Sequence, residues 1–425
     1  MLNVNSNLKK TLPSMLLIAI VFIFSTVISL ILKIPVTTIM KDFNYSVIII
    51  LIVMEMFTNL IVETGIMQFI ATKFAVLSKG NKRLCMLLFG FMMFIISAFL
   101  NNITAVMMIL PVIFVLLKAL NANRKYINIF FAVILALSNT GGAASPIGDF
   151  PALIIMTSGI TSFTGYLFRA FPLFLVTSVI LIAFWSISVK DKNTSNSSKM
   201  LAVDLLHSRY KNIKVRYDAL IPIGFVMLGM FLSWSFVPQN VIPPEMIALI
   251  GYCVALVISS VKGIRIKQSV DMKSVLTISS FLFLATVVSA SGILVKLATL
   301  LQTNISNPKL LLIVVMLITS IVSGLVSAGP AAAAMLPIIV NLCNTTLSSQ
   351  SDWVAIAYAA SICAGSSLFM WSATAGFILS NKIDSATLEH RGKKINWGIK
   401  NYLRYGLVNY LIQIVAAIVW IFIVI

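Results

Sequence analysis

Residues 97–113 read SAFLNNITAVMMILPVI, and residues 323–339 read SGLVSAGPAAAAMLPII. The two align without a gap at an offset of 226, placing Ser97 on Ser323, Ala105 on Ala331, and Leu110-Pro111 on Leu336-Pro337. The same offset lays Ser138-Asn139-Thr140-Gly141 over Ala364-Gly365-Ser366-Ser367 and Asp149 over Ala375. At an offset of 227, Glu63-Thr64-Gly65-Ile66 meets Ala290-Ser291-Gly292-Ile293. A single match between apolar segments carries little weight. Three in order at nearly one offset point to an internal repeat. The surroundings of the repeat decide its setting. Of 425 residues, 60% are hydrophobic and only 10% charged, with a mean hydropathy of +1.03. Soluble domains carry roughly 25% charged residues. Long apolar runs between short polar loops are helices able to cross a bilayer core about 30 Å thick. The expectation is an all-α polytopic membrane protein with inverted repeats, two re-entrant hairpins and broken helices.

Worked outward, the repeat divides the chain. The first copy occupies 1–188, with spans at 13–36 and 45–62, a hairpin at 84–121, a broken helix at 127–160 and a span at 164–188. A basic cytoplasmic loop, 189–216, and a connecting span, 217–243, follow. The second copy, 244–425, holds a hairpin at 310–346, a broken helix at 353–383 and a final span at 404–425. The first apolar run has no small-residue cleavage site, so it reads as a span and not as a removed signal. With the N-terminus in the cytoplasm, 26 Lys and Arg fall inside, and Lys33, Lys41, Arg169, Lys296 and Lys309 fall outside. That bias sets orientation and leaves the C-terminus outside a cell (inner) membrane. The net charge of +19 is thus loop charge, not a nucleic-acid face. Cys85, Cys253, Cys343 and Cys363 are scattered singly, and His207 and His390 lie in polar loops, so no Cys/His metal cluster is legible.

Two kinds of interruption occur once per half. Polar or helix-breaking turns separate paired apolar segments, at Asn101-Asn102-Ile103-Thr104 and at Ser327-Ala328-Gly329-Pro330. Small and polar breaks lie inside a crossing, at Ser138-Asn139-Thr140-Gly141 through Gly148-Asp149 and at Ala364-Gly365-Ser366-Ser367 through Thr374. Non-helical backbone at membrane depth is tolerated only in protein or along a wet cavity. Its freed carbonyls can hold a cation, while exposed helix N-termini favour anions. The competing reading makes them surface loops and packing contacts. Recurrence at equivalent positions favours a site. Among the acids in apolar segments, Asp149 sits on the break and Glu55 lies midway along its span, so both are candidates for the coupling charge.

At these residues the chain resembles the ion transporter superfamily. That group holds divalent anion–sodium symporters, citrate transporters, arsenite permeases and one class of sodium–proton antiporter. Asn102-Ile-Thr104 with Leu110-Pro111 looks like its first hairpin tip, and Gly141-Gly142 through Pro146-Ile-Gly148-Asp149 is similar to its glycine-rich break. Gly329-Pro330-Ala331 with Leu336-Pro337 resembles the second tip. The resemblance runs in order along essentially the whole chain. It implies a central substrate site, two flanking cation sites and a homodimer whose transport domain moves against a scaffold. Carried over by this resemblance, substrate would meet Asn101, Asn102, Thr104, Ser327, Gly329 and Pro330. Cation coupling would use Ser138, Asn139, Thr140, Gly148, Asp149, Ala364, Gly365, Ser366 and Ser367, with sodium at the Asn139 and Gly365 breaks. Dicarboxylate symporters carry a Ser-Asn-Thr triplet at both tips. Here Asn101-Asn102-Ile103 and Ser327-Ala328-Gly329 stand instead, closer to the arsenite and sodium–proton branches.

The reading is a secondary active transporter of a small organic or inorganic anion, coupled to sodium or protons by elevator-like alternating access. A sodium–proton antiporter using Asp149 is the alternative, followed by an arsenite-type efflux permease. The partners implied are lipid, the ionic substrate and a second copy of this chain, with no nucleic acid, and no cofactor other than the coupling ion. An enzyme would need a paired acid and base or an activated nucleophile, which the spans lack. No Gly-x-x-x-x-Gly-Lys-Ser/Thr loop marks a nucleotide-driven pump.

Overall fold

The computed structural model describes residues 2–189, 213–265, 270–386, 388–390, 393–394 and 397–424. Of the expected basic loop, 190–212 falls outside the described residues. The chain is helical nearly throughout. Among the described residues the strands are Glu389–His390 and Lys393–Lys394, which pair as a short antiparallel ribbon. The first half runs α1 (Leu2–Ile31), α2 (Val36–Asp42), α3 (Tyr45–Glu63), α4 (Ile66–Leu77), α5 (Lys82–Phe99), α6 (Asn102–Ala119), α7 (Arg124–Ala143), α8 (Phe150–Thr157) and α9 (Phe163–Ser188). The second runs α10 (Tyr217–Phe236), α11 (Pro244–Val261), α12 (Met272–Ala290), α13 (Ile293–Asn304), α14 (Pro308–Leu325), α15 (Ala328–Asn344), α16 (Ser351–Ser366), α17 (Gly376–Ser385) and α18 (Ile399–Val424). Among the described residues ten helices are long and apolar enough to cross a bilayer. The number rises to eleven if Ala328–Asn344 and Ser348–Ser366, which bend by 113°, form one broken span. The chain is therefore a multi-pass membrane protein.

The same local devices recur in both halves. Gly65 and Gly292 each start a short helix from the left-handed region, at φ 79° and 70°. Side chains without a Cβ penalty there are essentially glycine's alone. The Asn81 side chain accepts from the amides of Arg83 and Leu84 at the start of α5, and Asn307 does the same for Lys309 and Leu310 at α14. Each caps donors that have no partner within the helix. α4 and α13, with 12 residues each, are absent from the sequence-derived spans. At 1.5 Å per residue they are too short to cross the core, and neither makes a long apolar run.

Burial locates the centre. Every residue from Tyr126 to Ala143 in α7 and from Val354 to Ser366 in α16 is buried. A helix apolar on all sides belongs inside a larger assembly. α5 packs along α7 and α14 along α16, while α9 and α18 touch both central helices. α1, α3, α10, α11 and α12 form an outer group, in which α1 lies on α12 and α11 on α3 and α10. α8 bridges to this group through α3, and α15 through α12.

Candidate functional site

The first break opens where α7 stops at Ala143 and closes where Asp149 caps α8, its carboxylate accepting from Phe150 N at 2.9 Å. Three small residues let separate stretches of backbone meet here. A methyl group on Gly142 would stand 2.6 Å from Asn102 Oδ1 and 2.8 Å from Asp149 Cβ. One on Gly148 would stand 2.7 Å from the Ser97 carbonyl oxygen. The Ser145 hydroxyl donates to the Ala98 carbonyl, tying the break to the end of α5. Ser97 joins all three parts, its hydroxyl lying on Asn102 Oδ1 and donating to Ser138 O at 2.8 Å. The α5–α6 tip and the break are thus one structure.

Around it lie buried polar atoms with no partner. They are Asn102 Nδ2, Asn139 Oδ1 and Ser138 Oγ, on residues exposed by 1%, 2% and 0%. Leaving such an atom unpaired costs about 1–3 kcal/mol each. Native chains accept that cost where a ligand, ion or water completes the set. Asn139 also reaches across to the second break, donating from Nδ2 to Ser367 Oγ at 3.4 Å. Thr374 donates to Asp149 at 3.5 Å. The two broken helices therefore meet at Asn139, Asp149, Ser367 and Thr374. Two cavities flank the meeting point. One, of about 210 Å³, is lined by Asn139, Asp149, Ala328, Cys363 and Ser366 among others. The other, of about 380 Å³, lies against the outer group and is lined by Glu55, Thr58, Asn101, Gly148 and Asp149 among others. Neither is lined by Lys, Arg or His.

The expected residues sort into three groups. Asn102, Ser138, Asn139, Gly148 and Asp149 lie together around the first break, with Asn101 and Glu55 on the larger cavity. Glu55 also accepts from the Asp271 backbone at 3.0 Å, which fixes it to the start of α12. Ser366 and Ser367 reach the centre, but their hydroxyls are engaged by the Cys363 carbonyl and, at Ser367, by Gln413. The rest pack. Thr140 pairs with Ser178 at 2.9 Å, Gly329 rests on Ile278 and Phe150, and Pro330 and Ala364 are buried. Thr104 is half-buried on α6.

One alignment needs correction. Ser97 reaches Ser138 O, 41 residues on, whereas Ser323 reaches Ile362 O, 39 residues on. Gly141 lies on Phe94 and Ser97, and Gly365 on Ser320 and Ser323. Ser138 therefore corresponds to Ile362 and Gly141 to Gly365, not to Ala364 and Ser367. The ungapped offset fails because the second path is two residues shorter, and the Ala/Gly/Ser run of α16 gives no side-chain pattern to mark the slip. Asp149 still matches Ala375, since each caps the helix after its break.

A model of the citrate transporter family matches residues 6–363. The chain belongs to the citrate transporter family. It is similar to the 46 kDa membrane protein of Mycobacterium leprae, 26% identical over 300 residues, covering 70% of this chain and 69% of that protein. An uncharacterized transporter of Synechocystis is 26% identical over 380 residues, covering 83% and 80%. The magnetosome protein MamN of Paramagnetospirillum magneticum is 22% identical over 366 residues, covering 83% and 81%. Membership of the citrate transporter family makes the chain a transporter and not an enzyme.

Several residues of this citrate transporter family member were not visible as site residues. Tyr166 donates to the Ala143 carbonyl and Tyr402 to the Ser367 carbonyl, each at 2.8 Å, so each tyrosine holds the end of one broken helix. Gln413 holds Ser367 at 3.0 Å. An amide inside the apolar run 404–425 is a signal of the same kind as an intramembrane acid, at lower cost, and could have been read so.

Proposed function

We propose that the protein is a secondary active transporter that moves a small organic or inorganic anion together with a sodium ion or proton. One observation carries this reading: a buried, unpaired donor meets Asp149 at Gly142, and a buried, unpaired acceptor lines the same cavity as Asp149. Asn102 Nδ2, at a helix N-terminus, suits an anion, while Asn139 Oδ1 and the Asp149 carboxylate suit a cation. No lysine, arginine or histidine lines either cavity, so a cation must balance an incoming anion. Citrate, the substrate in the family's description, stands first among the anions to be tried.

The two tips are re-entrant in this proposal, and the repeats are inverted about an axis in the membrane plane. Elevator-like movement of α5–α9 and α14–α18 against the outer group, within a homodimer, carries the site between faces of the cell membrane. The N-terminus is cytoplasmic and the C-terminus outside. The larger cavity supports this division, since it lies between α3 of the outer group and Asp149. A sodium–proton antiporter is the second reading, favoured by the two carboxylates, Glu55 and Asp149, on that same cavity.

Purified protein in liposomes distinguishes them. Labelled citrate, other carboxylates, phosphate and arsenite are each offered under an inward sodium gradient or an inward proton gradient. Uptake of an anion that collapses with the gradient is expected. Sodium entry driven by an outward proton gradient, with no anion required, marks the antiporter. Flux of every solute indifferent to both gradients would overturn both.

A further inference from the structure

The repeated architecture pairs each group at the first break with a counterpart at the second, and the pairs differ in one direction. Ser138, Asn139 and Thr140 stand where the second half has Ile362, Cys363 and Ala364, by the matched Ser97 and Ser323 contacts. Asn102 opens α6 where Ala328 opens α15. Asp149 caps α8 where Ala375 precedes α17. Five polar groups are thus replaced by four apolar residues and a thiol.

The hydroxyls the second break does carry are already engaged. Ser366 donates to the Cys363 carbonyl at 2.9 Å, and Ser372 to the Ser366 and Phe369 carbonyls at 3.0 and 2.7 Å. The Cys363 thiol lies on Gln413 Oε1, and Ser327 donates to Ser372 O. No side-chain atom of the second break or its tip is buried without a partner among the described residues, whereas the first has three. A donating hydroxyl keeps lone pairs for a cation, but a buried cation also needs a compensating charge. Of the two breaks, only the first offers a carboxylate, Asp149, together with an unpartnered amide oxygen, Asn139.

We infer that the protein binds one monovalent coupling cation per protomer, at Asp149 and Asn139, and that the second break has lost the ability to hold another. The resemblance implied two flanking cation sites; the chemistry of this chain equips one. This rests on the proposed transport reading, since it concerns that same site, but ion binding is measurable without transport. A second ion would let the gradient act twice per cycle; with one, the concentrating power is limited to a single ion's gradient.

The test is equilibrium binding of radioactive sodium to the purified full-length protein, by scintillation proximity. A parallel measurement reads proton uptake in weakly buffered solution by a pH-sensitive dye. Expected is saturation at one sodium per protomer with a Hill coefficient of 1. Asp149→Asn should abolish binding, and Asp149→Glu should shift the sodium affinity several-fold. Should the cation be a proton, sodium does not bind, and one proton per protomer taken up on acidification is missing from Asp149→Asn. The Glu variant keeps the test open if the Asn variant does not fold. Two sodium ions per protomer, or binding that persists in Asp149→Asn, would overturn the inference. So would the absence of both sodium binding and an Asp149-dependent proton. Failure of gradient-driven flux in liposomes, with one ion still bound, would instead overturn the transport reading and leave the ion count standing.

Discussion

Gly141 and Gly365 lie where a methyl group would strike a backbone carbonyl oxygen, of Phe94 in one half and Ser320 in the other. Neither oxygen is the end of a flexible side chain, so the helices themselves would have to part. Overpacking of that kind typically costs about 1–3 kcal/mol. Gly141→Ala and Gly365→Ala should each lower the melting temperature of the purified protein, or its yield of folded protein. Gly224→Ala should not, because nothing lies within 4 Å of its would-be Cβ. Equal stability of all three variants would mean that the close helix contacts do not hold the centre together. These glycines also mark how far single residues were legible. Asp149 stood out because a carboxylate is costly in an apolar run, and Asn102 and Asn139 because they lie in polar interruptions that recur in each half. Gly141 and Gly365 were legible as breaks, yet their contacts show them to be packing positions inside α7 and α16. Composition cannot separate those two roles for glycine, since both require only the missing Cβ. Tyr166 and Tyr402 were missed for a related reason. An aromatic residue in a membrane helix is ordinary, and only its partner reveals that the hydroxyl is spoken for.

Broken helices need their ends held, and here neighbouring helices do it. Tyr166 from α9 and Tyr402 from α18 each donate to a carbonyl at the end of a central helix. The freed carbonyls of an interrupted helix must find donors in the protein where no water is available. Tyr402→Phe keeps the ring, which meets Trp397 edge-on at 5.3 Å, and removes only the donor. The expected loss is about 1–3 kcal/mol, seen as a lower melting temperature. Tyr405→Phe on the same helix should change little, since that ring's recorded contact is with Trp185. No difference between the two variants would assign the Ser367 carbonyl another donor. Elements of this kind were partly legible. Long apolar runs gave α3 and α9 nearly to the residue, because a bilayer sets their length. α4 and α13 escaped because they need not span it. The register of α7 against α16 slipped because the path from Ser323 to Ile362 is two residues shorter than that from Ser97 to Ser138, and small side chains of similar kind mark neither end.

At the scale of the whole molecule, α9 serves as a ruler. Its 26 residues extend about 39 Å, more than the roughly 30 Å of a bilayer's hydrocarbon core. At its start, Arg169 pairs with Asp352 at 2.9 Å and lies over Trp353, and Thr161 donates to Asp352, so α16 begins at that end. At its finish, Val189 O accepts from Arg83 Nε at 2.9 Å, so α5 begins there. Near the same end, Trp185 donates to Asn409 within α18. Asn81, just before α5, and Ser349, just before α16, should therefore face opposite sides of the membrane. The basic cluster Lys79, Lys82 and Arg83 assigns Asn81 to the cytoplasm. In a cysteine-free background, a cysteine at Asn81 should react with a membrane-impermeant maleimide only in inside-out vesicles. One at Ser349 should react only in intact cells or right-side-out vesicles. Replacing Asn81 removes a helix cap worth about 1 kcal/mol, too little to reorient a chain with this charge bias. If both positions label from one side, α9 does not cross between them, the two halves share one orientation, and the inverted repeat with its alternating access is lost. If they label from opposite sides but with Ser349 in the cytoplasm, the repeat survives, and the direction assigned to every gradient above reverses.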